Sequence, residues 1–200
     1  MTNYPPTLVQ LIKQFAKLPG IGEKTAIRLA LHVMRSSKDE ADMLAKSICL
    51  VKEKIRLCEQ CYGLTDQPVC QICQNASRDN SIICVVEQTD DLASIEQSGA
   101  FKGQYHVLHG TISPMNGIGP DDIRIPELLT KVSKGSIKEI VIATNTNVEG
   151  EMTGSYIAKC LASYDIKISR IASGVPIGSD LKYIDQLTMK RAMENRHTFE

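Results

Sequence analysis

Four cysteines form two identical knuckles, Cys58-Glu59-Gln60-Cys61 and Cys70-Gln71-Ile72-Cys73, separated by eight residues. Two thiolates separated by two residues can hold one ion from a tight turn, and a second such pair completes the four-coordinate shell that zinc favours in structural sites. A closed shell of four sulfurs leaves no position for a catalytic water. The expected group is therefore one structural Zn2+ per subunit, with Cys58, Cys61, Cys70 and Cys73 as its ligands. The alternative, two disulfides, belongs to oxidising compartments. The short interval predicts a compact knuckle rather than a large finger. Cys49, Cys84 and Cys160 fall in apolar surroundings and read as inert core thiols.

A second constellation is Leu18-Pro19-Gly20-Ile21-Gly22-Glu23-Lys24-Thr25-Ala26, in which two glycines flank one apolar residue just ahead of a helical pattern. Gly20 and Gly22 permit positive φ and close backbone approach, so the amides opening the helix can point at a phosphate. Ile21 is expected to bury between two helices and fix their hairpin. Lys24 and Arg28, four apart, share one helical face beside that anion site. A helix pair joined by a glycine turn with no ligand is the plainer alternative. The full string resembles a helix-hairpin-helix motif, which grips the sugar-phosphate backbone without reading bases. On that resemblance Gly20, Ile21, Gly22, Lys24 and Arg28 are the expected DNA contacts.

The third constellation is acidic. Val85-Val86-Glu87 ends one buried-strand candidate, and Thr144-Asn145-Thr146-Asn147-Val148-Glu149-Gly150-Glu151 follows another. Loops at the carboxyl ends of parallel strands are where such sheets place their sites. These segments resemble the Toprim module of topoisomerases, bacterial primases and related nucleases, in which a glutamate after one strand and an Asp-x-Asp pair after a later one hold magnesium. Glu87 and Glu149 match acidic positions, but Asn145 and Asn147 stand where the two aspartates would be. Two neutral amides leave such a site short of negative charge, so metal-assisted phosphodiester chemistry is not expected. The competing reading is an active Toprim nuclease or primase using Glu87 and Glu149 with one magnesium.

The elements that must position these groups change character along the chain. Leu8, Leu11, Ile12 and Phe15 recur at helical spacing up to Leu18, with Thr7 as the expected N-cap. Glu23 to Met34 resumes the pattern, and a third helix fits Asp39 to Arg56. Beyond the knuckle the period shortens. Ile82–Val86, Tyr105–Leu108, Glu139–Ala143 and Lys167–Ile171 read as short buried strands with helical stretches between them, which predicts crossover units and a mainly parallel sheet. Asp180 to Arg196 reads as a closing helix.

The 200 residues are 42% hydrophobic and 23% charged, enough to bury a real core without reaching the membrane or disordered classes. No charged and apolar leader opens the chain, so a cytoplasmic location is expected. The net charge of zero hides an asymmetry: residues 1–57 carry ten Lys/Arg against five Asp/Glu, and residues 58–200 thirteen against eighteen. The basic end is the expected polyanion contact. No Gly-x-x-x-x-Gly-Lys-Ser/Thr loop is present, so nucleotide hydrolysis would have to come from a partner.

Taken in order, these segments make residues 4–197 resemble the RecR family of bacterial recombination mediators. Tyr4-Pro5-Pro6, Val86-Glu87-Gln88, Ile112-Ser113-Pro114, Gly117-Ile118-Gly119-Pro120, Val148-Glu149-Gly150-Glu151 and Ala172-Ser173-Gly174-Val175-Pro176-Ile177-Gly178 carry the resemblance along with the hairpin and the knuckle. His109 is a departure, standing where the family leads one to expect glycine.

The resemblance implies an α+β multidomain chain: a helical helix-hairpin-helix part over 1–57, a four-cysteine zinc knuckle over 58–79, an α/β Toprim domain with a mainly parallel sheet over 80–166, and a C-terminal strand and helix over 167–200 used in oligomerisation. It further implies a non-enzymatic, nucleoid-associated DNA-repair protein. That protein works with RecO, and in some pathways RecF, to load RecA onto single-stranded DNA coated by single-strand binding protein, as a dimer or ring-like tetramer. Glu87, Glu149 and Glu151, freed from metal duty, become the expected partner contacts. His106 and His109, three apart on a strand, are expected to be one packed and one exposed. His32 and His197 read as lone helical residues. The Gly- and Pro-rich stretch 109–126 reads as a functional rim loop, and the methionines as core filler.

Overall fold

A computed structural model of the chain describes residues 4–196 and residue 198; His197 lies outside the described residues. The chain divides into two compact units, Met1–Ile55 and Arg56–Glu200. In the first, Pro6 occupies the first helical position, where its fixed φ favours helix and its missing N–H is no loss, so α1 (Pro6–Phe15) starts after Pro5. Thr7 is thus inside the first turn and is not the cap. After the glycine turn comes α2 (Glu23–Arg35), and α3 (Lys38–Lys54) opens with a capping box in which Ser37 and Glu40 exchange hydrogen bonds. Ile12, Ala26 and Ala30 form a small core with Leu8, Leu11, Phe15, Ile21 and Ile27 around it.

α3 contributes no buried residue. Its apolar side chains Leu44, Ile48, Val51 and Ile55 follow helical spacing, yet they are 46, 57, 58 and 41% exposed. Cys49 is exposed on the same helix, against the expectation of a core thiol, whereas Cys84 is buried and Cys160 half-buried. Met34, Met43, Met115 and Met193 are likewise exposed rather than core filler.

The second unit opens with a two-stranded antiparallel ribbon, β1 (Arg56–Leu57) and β2 (Leu64–Thr65), that carries the first knuckle, followed by the single turn α4 (Gln71–Gln74) that carries the second. β3 (Asp79–Val86), α5 (Thr89–Ser98), β4 (Gly103–Val107), α6 (Ile125–Ser133), β5 (Glu139–Ala143), α7 (Val148–Leu161) and β6 (Lys167–Arg170) then build a four-stranded sheet in the order β4-β3-β5-β6. All neighbours are parallel, with Cys84 opposite both Tyr105 and Val141 and Ile140 opposite Ile168.

Alternation along β3 separates two cores. Ile83 and Val85 face a layer with Leu128 and Val132 of α6 and Ile157 and Leu161 of α7. Cys84 and Val86 face the other side, where Leu92 and Ile95 of α5 pack together with Cys58, Cys61 and Cys70. The knuckle is therefore part of the sheet's cover. At the C-terminus the expected long helix is shorter. A 3-10 turn spans Leu181–Tyr183, and Asp185, accepting from the Thr188 amide, caps α8 (Gln186–Glu194) and fixes where it starts. No helix among the described residues is long and apolar enough to cross a membrane.

Candidate metal centre, hairpin face and acidic loop

The four Sγ atoms of Cys58, Cys61, Cys70 and Cys73 lie within 4.8 Å of one another, and Cys61 Sγ is 3.5 Å from Cys70 Sγ. A zinc tetrahedron with bonds of about 2.3 Å places its sulfurs about 3.8 Å apart, so the donor set fits that ion. Local backbone prepares it. The amides of Gln60 and Cys70 point at Cys58 Sγ (3.4 and 3.3 Å), and that of Gly63 at Cys61 Sγ (3.4 Å). Such donors favour thiolate. A hydrogen bond from Cys73 leads in pulling the Cys61 thiol down to about 5, and the same contact holds Cys73 up. Burial pushes Cys70 up to about 11. Four thiols cannot all ionise at this spacing without a cation among them. When bound, the zinc supplies that charge and closes the turn; with four sulfur ligands it offers no open position. Among the described residues, these cysteines are the group whose ligand atoms converge closely enough to share an ion.

The acidic loop has a different character. Glu87, just past β3, is 5% exposed. Its Oε1 accepts the Asn145 backbone N–H (2.7 Å) and its Oε2 the Asn145 side-chain amide (2.6 Å). Both carboxylate oxygens therefore face Asn145 rather than solvent. Asn147 is the N-cap of α7, its Oδ1 accepting from the Gly150 amide at 2.8 Å. Gly150 is required where it stands, because a Cβ there would strike the Asn145 carbonyl and Glu87 Oε1. Glu149 accepts from Ser113 Oγ (2.5 Å) and Thr111 Oγ1 (3.5 Å). Glu151 accepts from Arg170 (2.6 Å) and from Arg191 of α8 (2.9 Å). Burial works against ionisation of Glu151, but the hydrogen bond from Arg191 and the two guanidinium charges hold its carboxyl below the usual range. Expected as free acidic contacts, Glu149 and Glu151 are both half-buried and already paired within the chain.

In the hairpin, Gly20 adopts φ +78°, in the region that favours glycine, and the Ile21 amide donates to the Leu18 carbonyl at 3.1 Å. Ile21 is half-buried against Ile12, Ala26 and Ala30, as its place in the turn predicts. Gly22 is the N-cap of α2 and brings no side-chain acceptor, so the first-turn amides lack a side-chain partner from the cap. Lys24 and Arg28 are exposed and line one groove of about 360 Å³ with Ile27, Leu31, His32 and Arg35. Glu23 is the acidic residue of the same first turn.

Comparison with known proteins gives the same segments in the same order. Family models match residues 8–50 as the RecR helix-hairpin-helix, 55–75 as the four-cysteine zinc finger domain of RecR, 81–172 as a Toprim domain and 174–197 as the RecR C-terminal region. The recombination protein RecR of Desulfatibacillum aliphaticivorans is 59% identical over 197 residues, covering 98% of this chain and 99% of its own. That of Desulforapulum autotrophicum is 52% identical over 199 residues, the whole of both chains. That of Syntrophobacter fumaroxidans is 46% identical over 198 residues, covering 99% of this chain and 98% of its own. The chain belongs to the RecR family. The four-cysteine centre is accordingly that of a RecR zinc finger, and the sheet with its acidic loop that of a Toprim domain.

Some residues of this RecR chain gain roles that sequence reasoning missed. His109 lies beyond the end of β4, half-buried, with φ +59°. The glycine expected there is explained by that conformation, and here the imidazole Nε2 reaches the Tyr62 carbonyl at 2.7 Å. His106 is fully buried; desolvation, then the Lys131 charge, push it down to about 3. It is therefore neutral, with Nδ1 accepting from Lys131 Nζ (2.9 Å) and Nε2 donating to the Arg124 carbonyl (2.6 Å). The one available signal was the His109 departure itself.

Proposed function

We propose that this protein is a non-enzymatic recombination mediator that binds DNA through its backbone and helps to load a RecA-type recombinase onto single-stranded DNA coated by single-strand binding protein. The observation that carries the reading is the hairpin: an exposed Lys24–Arg28 face beside first-turn amides that no cap side chain occupies. Gly20, Ile21 and Gly22 form the turn that brings a phosphate to those amides. The cysteines are structural zinc ligands. RecO is the proposed partner at the acidic loop, with RecF as a second in some pathways; Glu149, bonded only to neutral hydroxyls, keeps its charge for that contact, Glu151 joins it by exchanging Arg170 and Arg191 for cations of the partner, and Glu87 shapes the loop from below. Association as a dimer or ring-like tetramer is supported by the apolar faces left uncovered at both termini, Leu44, Ile48 and Val51 on α3 and Ile177, Leu181 and Leu187 near α8. The proposed location is the cytoplasm, with the nucleoid, where a protein acting on chromosomal DNA would work.

The testing experiment measures affinity for single- and double-stranded DNA against salt, together with recombinase loading in the presence of RecO. Lys24→Ala with Arg28→Ala is expected to weaken binding to all sequences alike, to flatten the plot of log K against log salt by about 1.4 to 1.8, and to abolish loading. A folded double variant with unchanged slope and loading would move the DNA surface elsewhere.

A further inference from the structure

Three consecutive carbonyls of the first knuckle are taken by the Toprim domain. Gln60 accepts from Lys131 Nζ on α6, Cys61 from the Val107 amide at the end of β4 (2.8 Å), and Tyr62 from His109 Nε2 (2.7 Å). These carbonyls belong to the turn between Cys58 and Gly63, so their directions are set by how Cys58 and Cys61 wrap a common ion. Tyr62 holds φ +63° and His109 φ +59°. The bond between them therefore joins the two described non-glycine residues of positive φ, which persist only when surrounding contacts hold them. The Tyr62 ring meets His106 edge-on with centroids 5.3 Å apart, and the cations of Arg124 and Lys131 each lie 5.1 Å from its centroid.

The far side of this joint is the rim loop, which runs over residues 109–124 to the start of α6. His106 grips its end through the Arg124 carbonyl, and the Arg124 amide donates to Leu108 at 3.0 Å. From its middle, the Ile112 amide reaches Thr153 Oγ1 (2.8 Å) and Ser113 Oγ reaches Glu149 Oε1 (2.5 Å), both on α7. Hydrogen bonds at its two ends and its middle, joined by the short chain between them, thus link the metal turn to the acidic loop.

We infer that the zinc centre sets the position of the rim loop and, through Ser113, of the Glu149 carboxylate, with Lys131 and His109 as the positioning residues that carry metal occupancy to the loop. Without the ion nothing ties Cys58 and Cys61 to Cys70 and Cys73, the turn opens, the Gln60 and Tyr62 carbonyls swing away, and both ends of the rim loop lose their anchors. The inference concerns the second unit alone and does not depend on what binds the hairpin.

Amide hydrogen exchange of the full chain, zinc-loaded and after chelation, tests it on the wild type, Lys131→Met and His109→Gly. Chelation of the wild type is expected to speed exchange in the rim loop and the first turn of α7 by about tenfold or more beyond any change in β3 and β5, the loss of at least one hydrogen bond. Each variant is expected to retain one zinc yet to show the fast rim loop already, and to change less than the wild type on chelation, the non-additivity of a shared path. A residue that merely supports the fold would raise exchange without altering the response to metal. Unchanged loop exchange in the chelated wild type, or an undiminished response in both variants, overturns the inference. If chelation also exposes β3 and β5, the zinc-loaded variants decide: a fast loop supports the inference, and wild-type protection in both overturns it.

Discussion

The zinc knuckle and the acidic loop both gather potential anionic ligands at turns beside the same sheet, and they differ in what already occupies those ligands. In the knuckle the sulfurs receive only long amide contacts of 3.3 to 3.4 Å and face one another, an arrangement stable as thiolates only around a cation. In the acidic loop every carboxylate has found a protein donor: Glu87 in Asn145, Glu149 in Ser113 and Thr111, Glu151 in Arg170 and Arg191. The amide of Asn145 supplies to Glu87 the positive hydrogens that a metal would otherwise supply. A count of acidic residues therefore misjudges a metal site when the neighbours of each lone pair are left out.

The contrast breaks most visibly at the knuckle. Cys61→Ser is expected to remove the zinc and to destabilise the second unit by several kcal/mol, since metal affinity there is folding free energy; elemental analysis with thermal melting checks it, and a variant that melts like the wild type would mean the ion is dispensable. Next in size is Asn145→Asp, which sets a carboxylate 2.6 Å from Glu87 Oε2 in place of a donor. Stability should fall by about 1–3 kcal/mol in metal-free buffer and recover in part with millimolar magnesium; equal melting with and without the substitution would refute the donor role of Asn145.

The smallest effect belongs to the surface clasp. Arg191→Ala should cost only about 0.2–1 kcal/mol, because the Glu151 and Arg191 side chains are each 33% exposed, yet it should speed amide exchange in α8. Since Glu151 is held below the ordinary carboxylate range, its contribution is complete above that range and is lost as pH falls through the lowered value. In the wild type, α8 protection should therefore drop on acidification below about pH 4, and less so in Arg191→Ala.

What the sequence disclosed follows the range of the determining contacts. The knuckle was legible because its ligands pair within three residues, and β5 because Glu139–Ala143 is a local apolar run that matches its strand residue for residue. The hairpin was legible from its glycines. Helix starts were less so: Pro6 outranked Thr7 as the start of α1, and Asp185 moved the start of α8. The satisfied acidic loop was hidden because Asn145 lies 58 residues from Glu87, and the joint at Tyr62 because His109 lies 47 residues away. Periodicity carries no record of partners at such separations. For the same reason the helical spacing of Leu44, Ile48 and Val51 carried no sign that this face of α3 is exposed.

The most direct measurement is a metal inventory of the wild type joined to a nicking assay: elemental analysis after dialysis, then calorimetric titration with magnesium, then incubation with supercoiled DNA and magnesium or manganese. The account predicts one zinc retained per chain, no saturable magnesium binding and intact DNA. Saturable magnesium binding that is lost in Glu87→Gln, together with cleavage of the DNA, would contradict it and make the acidic loop a catalytic centre.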